Sequence, residues 1–353
     1  MNKSICDFSI IIPCRNEIGF IERMLRSVLQ QDIFASFSGE IIVIDGNSND
    51  GTTNLLKKLE SEIQCLNVMS NPLGYVSSSL NIGVSKACGK YIVRLDAHAI
   101  YPSNYISTLI NYMENNPDVE NCGVPFDTVP SDNTRVAISI AHTLSHKFGV
   151  GSALYRLERE SPICTDTVPY GCFRREIFAK LGGFDLDLIR NQDDEFNGRI
   201  IKSGAKVVLL PSPKLTYFAR GSFGKHWLTY YQYGLFKPLT VAKLRRPATF
   251  RQLIPPFFVL GNLILLILSL FGFKLAQVTY LFIIITYCLL SIVATNDLKK
   301  RKYFVLGHMS VLSCWPYVLT AMFIMHFSYG CGYLVGLTKL LLGFPIVSVK
   351  NSR

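Results

Sequence analysis

The chain has 353 residues, of which 49% are apolar, with a mean hydropathy of +0.27 and a formal net charge of +11. That length holds a soluble domain with a full core and something more, and the mean hydropathy and apolar share are high for a wholly soluble protein. So basic a chain suits nucleic acid, anionic lipid or a phosphorylated substrate. Its positive residues crowd segment 237–251 and the run Lys299-Lys300-Arg301-Lys302, both beside long apolar runs, so membrane topology accounts for them and nucleic acid is not expected as a partner.

The first 125 residues alternate β-rich runs with helical patterns. Strands are predicted at 8–12, 41–45, 66–70, 91–96 and about 121–126, and helices at 17–31, 50–61, 75–87 and 102–115. This alternation predicts an α/β, doubly wound sheet. The run Ile41-Ile42-Val43-Ile44 is apolar on both faces, as a central parallel strand must be. Ligands of such sheets bind outside the carboxyl ends of the strands. Arg15 and Glu17 follow the first strand, Asp45 ends the second and Asp96 ends the fourth. None of the ten cysteines sits in a CxxC or other metal-spaced cluster; Cys6, Cys14, Cys65 and Cys88 fall in or beside core elements and read as reduced, buried thiols. No signal peptide is expected ahead of the strand at Phe8, which predicts that this domain stays in the cytoplasm.

Residues 126–220 are less periodic. A helix is predicted at 137–148, a strand–turn–helix at 168–181, a helix at 193–203 and a strand at 205–210, with Gly182-Gly183 as a helix stop. Segment 223–244 mixes Phe223, Trp227, Tyr230, Tyr231, Tyr233 and Phe236 with Lys225, Lys237 and Lys243, the composition of an interfacial amphipathic helix. The composition then shifts near residues 245–252. Apolar runs at 253–273, 275–294 and 304–327 are each long enough to span a bilayer. Basic residues before the first run and between the second and third place both flanks inside. Trp315-Pro316 predicts a kink in the third, and residues 329–344 either extend that span, re-enter the bilayer or lie at its surface.

Three polar segments are candidates for chemistry. Asp96-Ala97-His98 at a strand end is either a solvated turn or a carboxylate and an imidazole able to hold Mn²⁺ or Mg²⁺. Gln192-Asp193-Asp194-Glu195 either places negative charge at a helix start or supplies a general base. Residues 45–52 read as a turn and helix cap. No GxGxxG follows any strand, which argues against a nicotinamide oxidoreductase.

Taken together these segments carry a resemblance. Phe8-Ser9-Ile10-Ile11-Ile12-Pro13-Cys14-Arg15-Asn16-Glu17 resembles the opening strand and turn of family 2 glycosyltransferases. Residues 45–52, Asn71-Pro72-Leu73-Gly74, Leu80-Asn81-Ile82-Gly83, Asp96-Ala97-His98, Gly182-Gly183-Phe184-Asp185 and Gln192-Asp193 follow in the family's order, covering roughly residues 8–240. Within the family the chain is most similar to succinoglycan-type exopolysaccharide glycosyltransferases, through Asp96-Ala97-His98-Ala99, Asp166-Thr167-Val168, Asn191-Gln192-Asp193-Asp194-Glu195 and the HFSYGCG run at 326–332.

The resemblance implies a GT-A fold (Rossmann-like, a doubly wound mixed sheet) followed by C-terminal transmembrane helices. It also implies a nucleoside-diphosphate sugar donor, a divalent cation (Mn²⁺ or Mg²⁺) and inversion at the anomeric carbon. By position, Asp45 would hydrogen-bond the nucleobase, with Pro13, Arg15, Glu17 and Asn81 around the nucleotide-sugar. Asp96 and His98 would lie at the ribose, diphosphate and metal, and Asp193 at the catalytic base. Asp166, Gly171, Gln192, Asp194 and Glu195 would form the acceptor side. Three positions depart from the family pattern: Gly46 stands where a second acid is usual after Asp45, His98 replaces the final Asp of the metal triplet, and Gln192 replaces the Glu before the base.

The expected organisation is a catalytic domain over 1–245 and a membrane domain of about three helices over 246–353. The former divides into a nucleotide-sugar half at 1–125, an acceptor half at 126–220 and the interfacial helix at 221–245. The expected enzyme sits in the cell membrane, multi-pass, with its catalytic domain cytoplasmic and lipids around its helices, acting on a polyprenyl-linked saccharide in exopolysaccharide, capsule or surface-antigen synthesis. A processive synthase is the first alternative; it would carry Q-x-x-R-W, and His226-Trp227 lacks the Gln and Arg at that spacing. A membrane protein that binds nucleotide-sugar without catalysis is the second, and it would tolerate loss of Asp96 or Asp193.

Overall fold

The computed structural model describes residues 6–246, 249–301, 304 and 310–346. Lys302, positions 305–309 of the third predicted span, and the C-terminal Lys350 and Arg353 lie outside the described residues. Contacts divide the chain into two compact units: one runs to Asp127 and takes in Glu158–Tyr217, and the other comprises Thr128–Leu157 and the chain from Phe218 onward.

The first unit is built on an eight-stranded sheet with helices between its strands. In chain order it has β1 (Phe8–Cys14), α1 (Ile21–Leu29), β2 (Gly39–Asp45), α2 (Thr52–Glu62), β3 (Leu66–Ser70), α3 (Val76–Lys86), β4 (Tyr91–Arg94), β5 (Ala99–Ile100), α4 (Tyr105–Glu114), β6 (Val119–Gly123) and β7 (Phe126–Val129). After residue 158 come β8 (Ile163–Cys164), β9 (Cys172–Arg174), α7 (Glu176–Leu181), α8 (Gln192–Lys202), β10 (Lys206–Leu209) and β11 (Leu215–Phe218). The large sheet has the order β3-β2-β1-β4-β9-β6-β10-β8, and β5, β11 and β7 form a small second sheet. β1 pairs in parallel with β2 and with β4, whereas β9 lies antiparallel between β4 and β6, so the sheet is mixed. All seven residues of β1 are buried, which a strand covered by helices on both faces requires.

Pro13 falls past the last β1–β4 pair, Ile11 with Arg94, where β1 retains only β2 as a ladder partner and the missing N–H is tolerated. The strand predicted at 121–126 is two strands in two sheets: Pro125 cannot donate to a ladder, and its carbonyl instead accepts from Leu215. α3 lies close on the sheet because Gly83 has no side chain; a Cβ there would sit 2.5 Å from Ile11 Cγ2. Phe173, Phe178, Phe184 and Phe196 pack among themselves, with the Phe178–Phe196 and Phe184–Phe196 ring centroids 4.9 and 4.8 Å apart. Each such ring contributes roughly 1.5–3 kcal/mol by burial, and together they fix α8, the helix that opens with Gln192 and Asp193.

The second unit is helical: α5 (Arg135–Thr143), α6 (Lys147–Val150), α9 (Phe223–Leu244), α10 (Phe250–Leu270), α11 (Lys274–Asn296) and a last helix, α12 (Val311–Leu341). Among the described residues, three helices, α10, α11 and α12, are long and apolar enough to cross a membrane. The 21 residues of α10 reach about 31 Å, close to a bilayer's hydrocarbon thickness. Phe257, Leu263, Phe282 and Leu289 are each more than half exposed, a surface suited to lipid and not to water. α12 continues through Pro316 and as far as Leu341, so residues 329–341 of the ambiguous stretch extend the third apolar helix.

This contact pattern departs from the boundary that composition drew at 245. α9, expected as an interfacial helix closing the catalytic domain, packs along α12 instead. His226, Gln232, Leu235, Phe236, Lys237 and Thr240 are buried, and the helices meet at glycines where a Cβ would collide with backbone: Gly234 with Tyr329, Gly332 with Tyr231, and Gly336 with Leu235. Small residues permit this approach. The HFSYGCG run thus lies at a helix crossing, and its His326 bridges Tyr287 Oη at 2.8 Å and the Gly149 carbonyl at 3.0 Å.

Candidate active site

The candidate residues gather where β1, β2 and β4 end, because parallel strands deliver their following loops to one edge. The loops after β1 and β2 are zipped together by polar groups. Asn16 N–H donates to Ser48 Oγ (2.8 Å), Asn49 N–H to Asn16 Oδ1 (2.9 Å), Glu17 N–H to Thr52 Oγ1 (2.9 Å) and Ile18 N–H to Asp50 Oδ2 (3.2 Å). Asn16 and Asn47 take positive φ, 55° and 62°, a conformation asparagine tolerates better than most residues. Asp45 is buried and oriented by its own loop: Ser48 Oγ and Thr53 Oγ1 each donate to a different carboxylate oxygen at 2.5 Å. Arg15 reaches across to donate to the Gly74 carbonyl at 3.3 Å.

The chain after β4 brings a carboxylate and an imidazole to the Glu17 loop. His98 Nδ1 lies 2.7 Å from Asp96 Oδ1 and 3.3 Å from Glu17 Oε1, and all three side chains are buried. Tyr101 Oη accepts from the Asp96 N–H at 2.6 Å and so steadies the turn. Two carboxylates and a ring nitrogen from two loops offer oxygen and nitrogen donors, the chemistry that suits a hard or borderline cation such as Mg²⁺ or Mn²⁺. The structure brings Glu17 beside the pair Asp96–His98.

Asp193, half-buried in the first turn of α8, forms an ion pair with the buried Arg94, whose guanidinium also donates to the Pro169 carbonyl at 2.7 Å and lies 5.3 Å from the Tyr170 ring centre. Burial pushes the Asp193 carboxyl up to about 6, against the pull of Arg94, and the charges of Asp194 and Asp96 add to the rise. A carboxylate so poised suits proton abstraction near neutral pH. Arg94 is the functional candidate that sequence reasoning passed over. Its signal was a cation ending the run Tyr91-Ile92-Val93, since a buried charge needs a partner.

The other candidates are held in supporting contacts. Asn81 grips the Phe184 backbone, donating to its carbonyl (2.8 Å) and accepting from its N–H (2.7 Å). Glu195 is buried in a two-pronged pair with Arg199, which in turn donates to the Leu181 and Gly183 carbonyls. Gly171 lies where any Cβ would strike the Asn121 amide, and its carbonyl accepts from Arg94 N–H at 2.9 Å. Gln192 is buried, while Asp194 and Asp166 are half-buried; Thr165 Oγ1 donates to Asp166 at 3.4 Å.

Known proteins resemble this chain in sequence and fold. The model of Glycosyl transferase family 2 matches residues 9–182. The succinoglycan biosynthesis protein ExoA of Rhizobium meliloti is 25% identical over 249 residues, which cover 70% of this chain and 73% of that protein. A Methanococcus voltae dolichyl N-acetyl-α-D-glucosaminyl phosphate 3-β-D-2,3-diacetamido-2,3-dideoxy-β-D-glucuronosyltransferase is 28% identical over 243 residues, 67% of this chain and 74% of its own. Among solved structures, the Pyrobaculum calidifontis mannosyltransferase PcManGT with GDP-Man and Mn²⁺ superposes with a TM-score of 0.55 at 19% identity, over 90% of this chain and 86% of that one. Staphylococcus aureus TarS with UDP gives 0.50 at 14% identity, over 96% and 92%. These likenesses show the GT-A fold. The domain match, its relatives and the order of strand-end residues agree, and the chain carries a glycosyltransferase family 2 domain.

Proposed function

We propose that the chain is an inverting, metal-dependent transferase that moves a sugar from a nucleoside-diphosphate donor to a lipid-linked saccharide at the cytoplasmic face of the cell membrane. The observation that carries this reading is the pair of clusters on one sheet edge, Glu17–Asp96–His98 and Arg94–Asp193. Asp45, with Pro13, Arg15 and Glu17 nearby in sequence or space, would receive the base and ribose. Asp96 and His98, with Glu17, would hold the divalent cation, which supplies charge neutralisation of the departing diphosphate. Asp193 would take the proton of the acceptor hydroxyl as that oxygen attacks the anomeric carbon from the side opposite the diphosphate, with α8 and residues Asp166, Gly171, Gln192, Asp194 and Glu195 forming the acceptor side. Displacement in a single step inverts the anomeric centre, and it needs a base but no protein nucleophile.

Several observations support the finer points. PcManGT was solved with a nucleotide sugar and Mn²⁺, and TarS with UDP. The Methanococcus relative is named for a dolichyl-linked substrate and ExoA for succinoglycan biosynthesis. Lys299, Lys300 and Arg301 follow α11 as cytoplasmic flanks do. The test is donor hydrolysis and transfer by the detergent-solubilised chain over UDP-, GDP- and dTDP-sugars with Mn²⁺, Mg²⁺ or EDTA. Release of one nucleotide that stops with EDTA is the expected result, and product of retained anomeric configuration by NMR would overturn the inverting assignment.

A further inference from the structure

At the opposite edge of the large sheet, where its parallel strands begin, three chain segments converge on one carboxylate. Cys6 lies two residues before the start of β1, Glu40 is the second residue of β2, and Cys88 lies in the turn leading to β4. Glu40 Oε1 accepts from Ser9 Oγ (2.6 Å), Cys88 N–H (2.7 Å), Cys88 Sγ (3.0 Å) and Cys6 Sγ (3.6 Å). The two sulfurs and this oxygen lie within 4.8 Å of one another. Ser9 Oγ is fixed in turn by the Gly89 N–H at 2.8 Å. Cys6 is buried, while Glu40 and Cys88 are half-buried, so an ion has an approach from solvent.

The cluster concentrates more donors on one oxygen than a carboxylate oxygen has lone pairs, and two of them are weak thiol donors. In a tetrahedral zinc site, bond lengths of about 2.3 Å to sulfur and 2.1 Å to oxygen set ligand separations of roughly 3.6–3.8 Å. The Cys6 sulfur–oxygen distance, 3.6 Å, already falls in that range, and the Cys88 distance, 3.0 Å, reaches it by lengthening about 0.6 Å. We propose that Cys6, Glu40 and Cys88 form a structural zinc site, with a solvent oxygen as fourth ligand, that ties the lead into β1 to β2 and to the turn before β4. Binding exchanges the two thiol protons, which pass to solvent, for one Zn²⁺ held by two thiolates and the Glu40 carboxylate. The thiolate donors set it apart from the oxygen–nitrogen cluster at Asp96 and His98. Sequence reading placed Cys6 and Cys88 among inert core thiols because the ligands stand 34 and 48 residues apart, beyond any local motif.

The test uses the full chain in detergent, kept reduced, stripped with chelator and titrated with Co²⁺. A sulfur-to-cobalt charge-transfer band should develop to one thiolate-bound equivalent and vanish when Zn²⁺ is added. The band should be lost in Cys6→Ser/Cys88→Ser and retained in Asp96→Asn and in Cys164→Ser, whose thiol is exposed elsewhere. In the unsubstituted protein, Zn²⁺ at ten times its dissociation constant should slow alkylation of Cys88 about tenfold while Cys164 reacts as before. Absence of the band, its survival in the double variant, or unprotected Cys88 alkylation overturns the proposal.

Discussion

Replacing Arg94 by methionine keeps the bulk of the side chain and removes the charge that faces Asp193. The carboxyl of Asp193 already stands at about 6 because burial outweighs the guanidinium. An adjacent arginine ordinarily lowers such a carboxyl by about one to three pH units, so without it Asp193 should titrate between about 7 and 9. A base acts only when deprotonated. The rate of the parent enzyme should therefore rise with pH through about 6 and level off above it. In Arg94→Met the same limb should move up by about one to three pH units. For a carboxyl displaced to about 8, the ionised fraction at pH 7 falls from about 0.9 to about 0.09, a roughly tenfold loss that returns by pH 9.

The assay is a pH profile of kcat/KM for transfer from the preferred donor, with Arg94→Lys as the charge-conserving control. A profile that keeps its midpoint in Arg94→Met would refute the electrostatic argument, as would a loss that alkaline pH does not recover. Stability supplies an independent sign. Asp193 is raised in the folded state relative to an ordinary aspartate near 3.9, so its contribution is most favourable below pH 4 and declines as pH rises towards 6. In the variant that decline should continue to higher pH, visible as a melting temperature that keeps falling where the parent has levelled.

Asp193→Asn should fold normally and lose about 10²–10⁴-fold in kcat; turnover at the parent rate would remove Asp193 as base. Glu17→Gln and Asp96→Asn should each raise the Mn²⁺ concentration needed for half-maximal activity by about tenfold or more, measured by metal titration at saturating donor, and an unchanged requirement would dismiss the cluster as a metal site. Gly171→Ala should destabilise the chain by about 1–3 kcal/mol, since its Cβ meets the buried Asn121 amide, and thermal melting checks it.

Much of the sheet was legible because its strands are buried on both faces and read as unbroken apolar runs: β1, β2 and β3 fall within two residues of their predicted bounds. Periodicity failed where strands are short or divided. β5, β8 and β11 contribute two to four residues each, and Pro125 splits one predicted strand between two sheets. The unit boundary was also hidden, because composition registers lipid-facing residues but not the packing of α9 on α12, which depends on glycines at 234, 332 and 336. At the site, Asp45, Asp96 and His98 could be placed from their strand-end positions. The partnership of Glu17 with His98 could not, since it requires the zipped loops of β1 and β2 to fold first. Arg94 was missed for a related reason: a strand residue carries no mark of its partner when that partner is 99 positions away.

Arg94 also explains why one short strand organises both halves of the proposed chemistry. Alternate residues of an extended chain project to the same side, and β4 ends at Arg94 with Asp96 two positions on. Leu95 between them is buried, and its N–H remains on the Ile11 carbonyl at 3.0 Å, so the backbone stays in the ladder across the interval. The strand thus offers a cation to Asp193 on α8 and a carboxylate to His98 on its own turn, from a single rigid support. The charge of Asp96 acts to raise the Asp193 carboxyl. A divalent cation neutralising Asp96 would weaken that effect and let Asp193 ionise at lower pH. The alkaline plateau of the rate should therefore begin earlier at saturating Mn²⁺ than at limiting Mn²⁺. If the rate midpoint stays fixed across metal concentrations, cation and base act independently and the shared strand is only a scaffold.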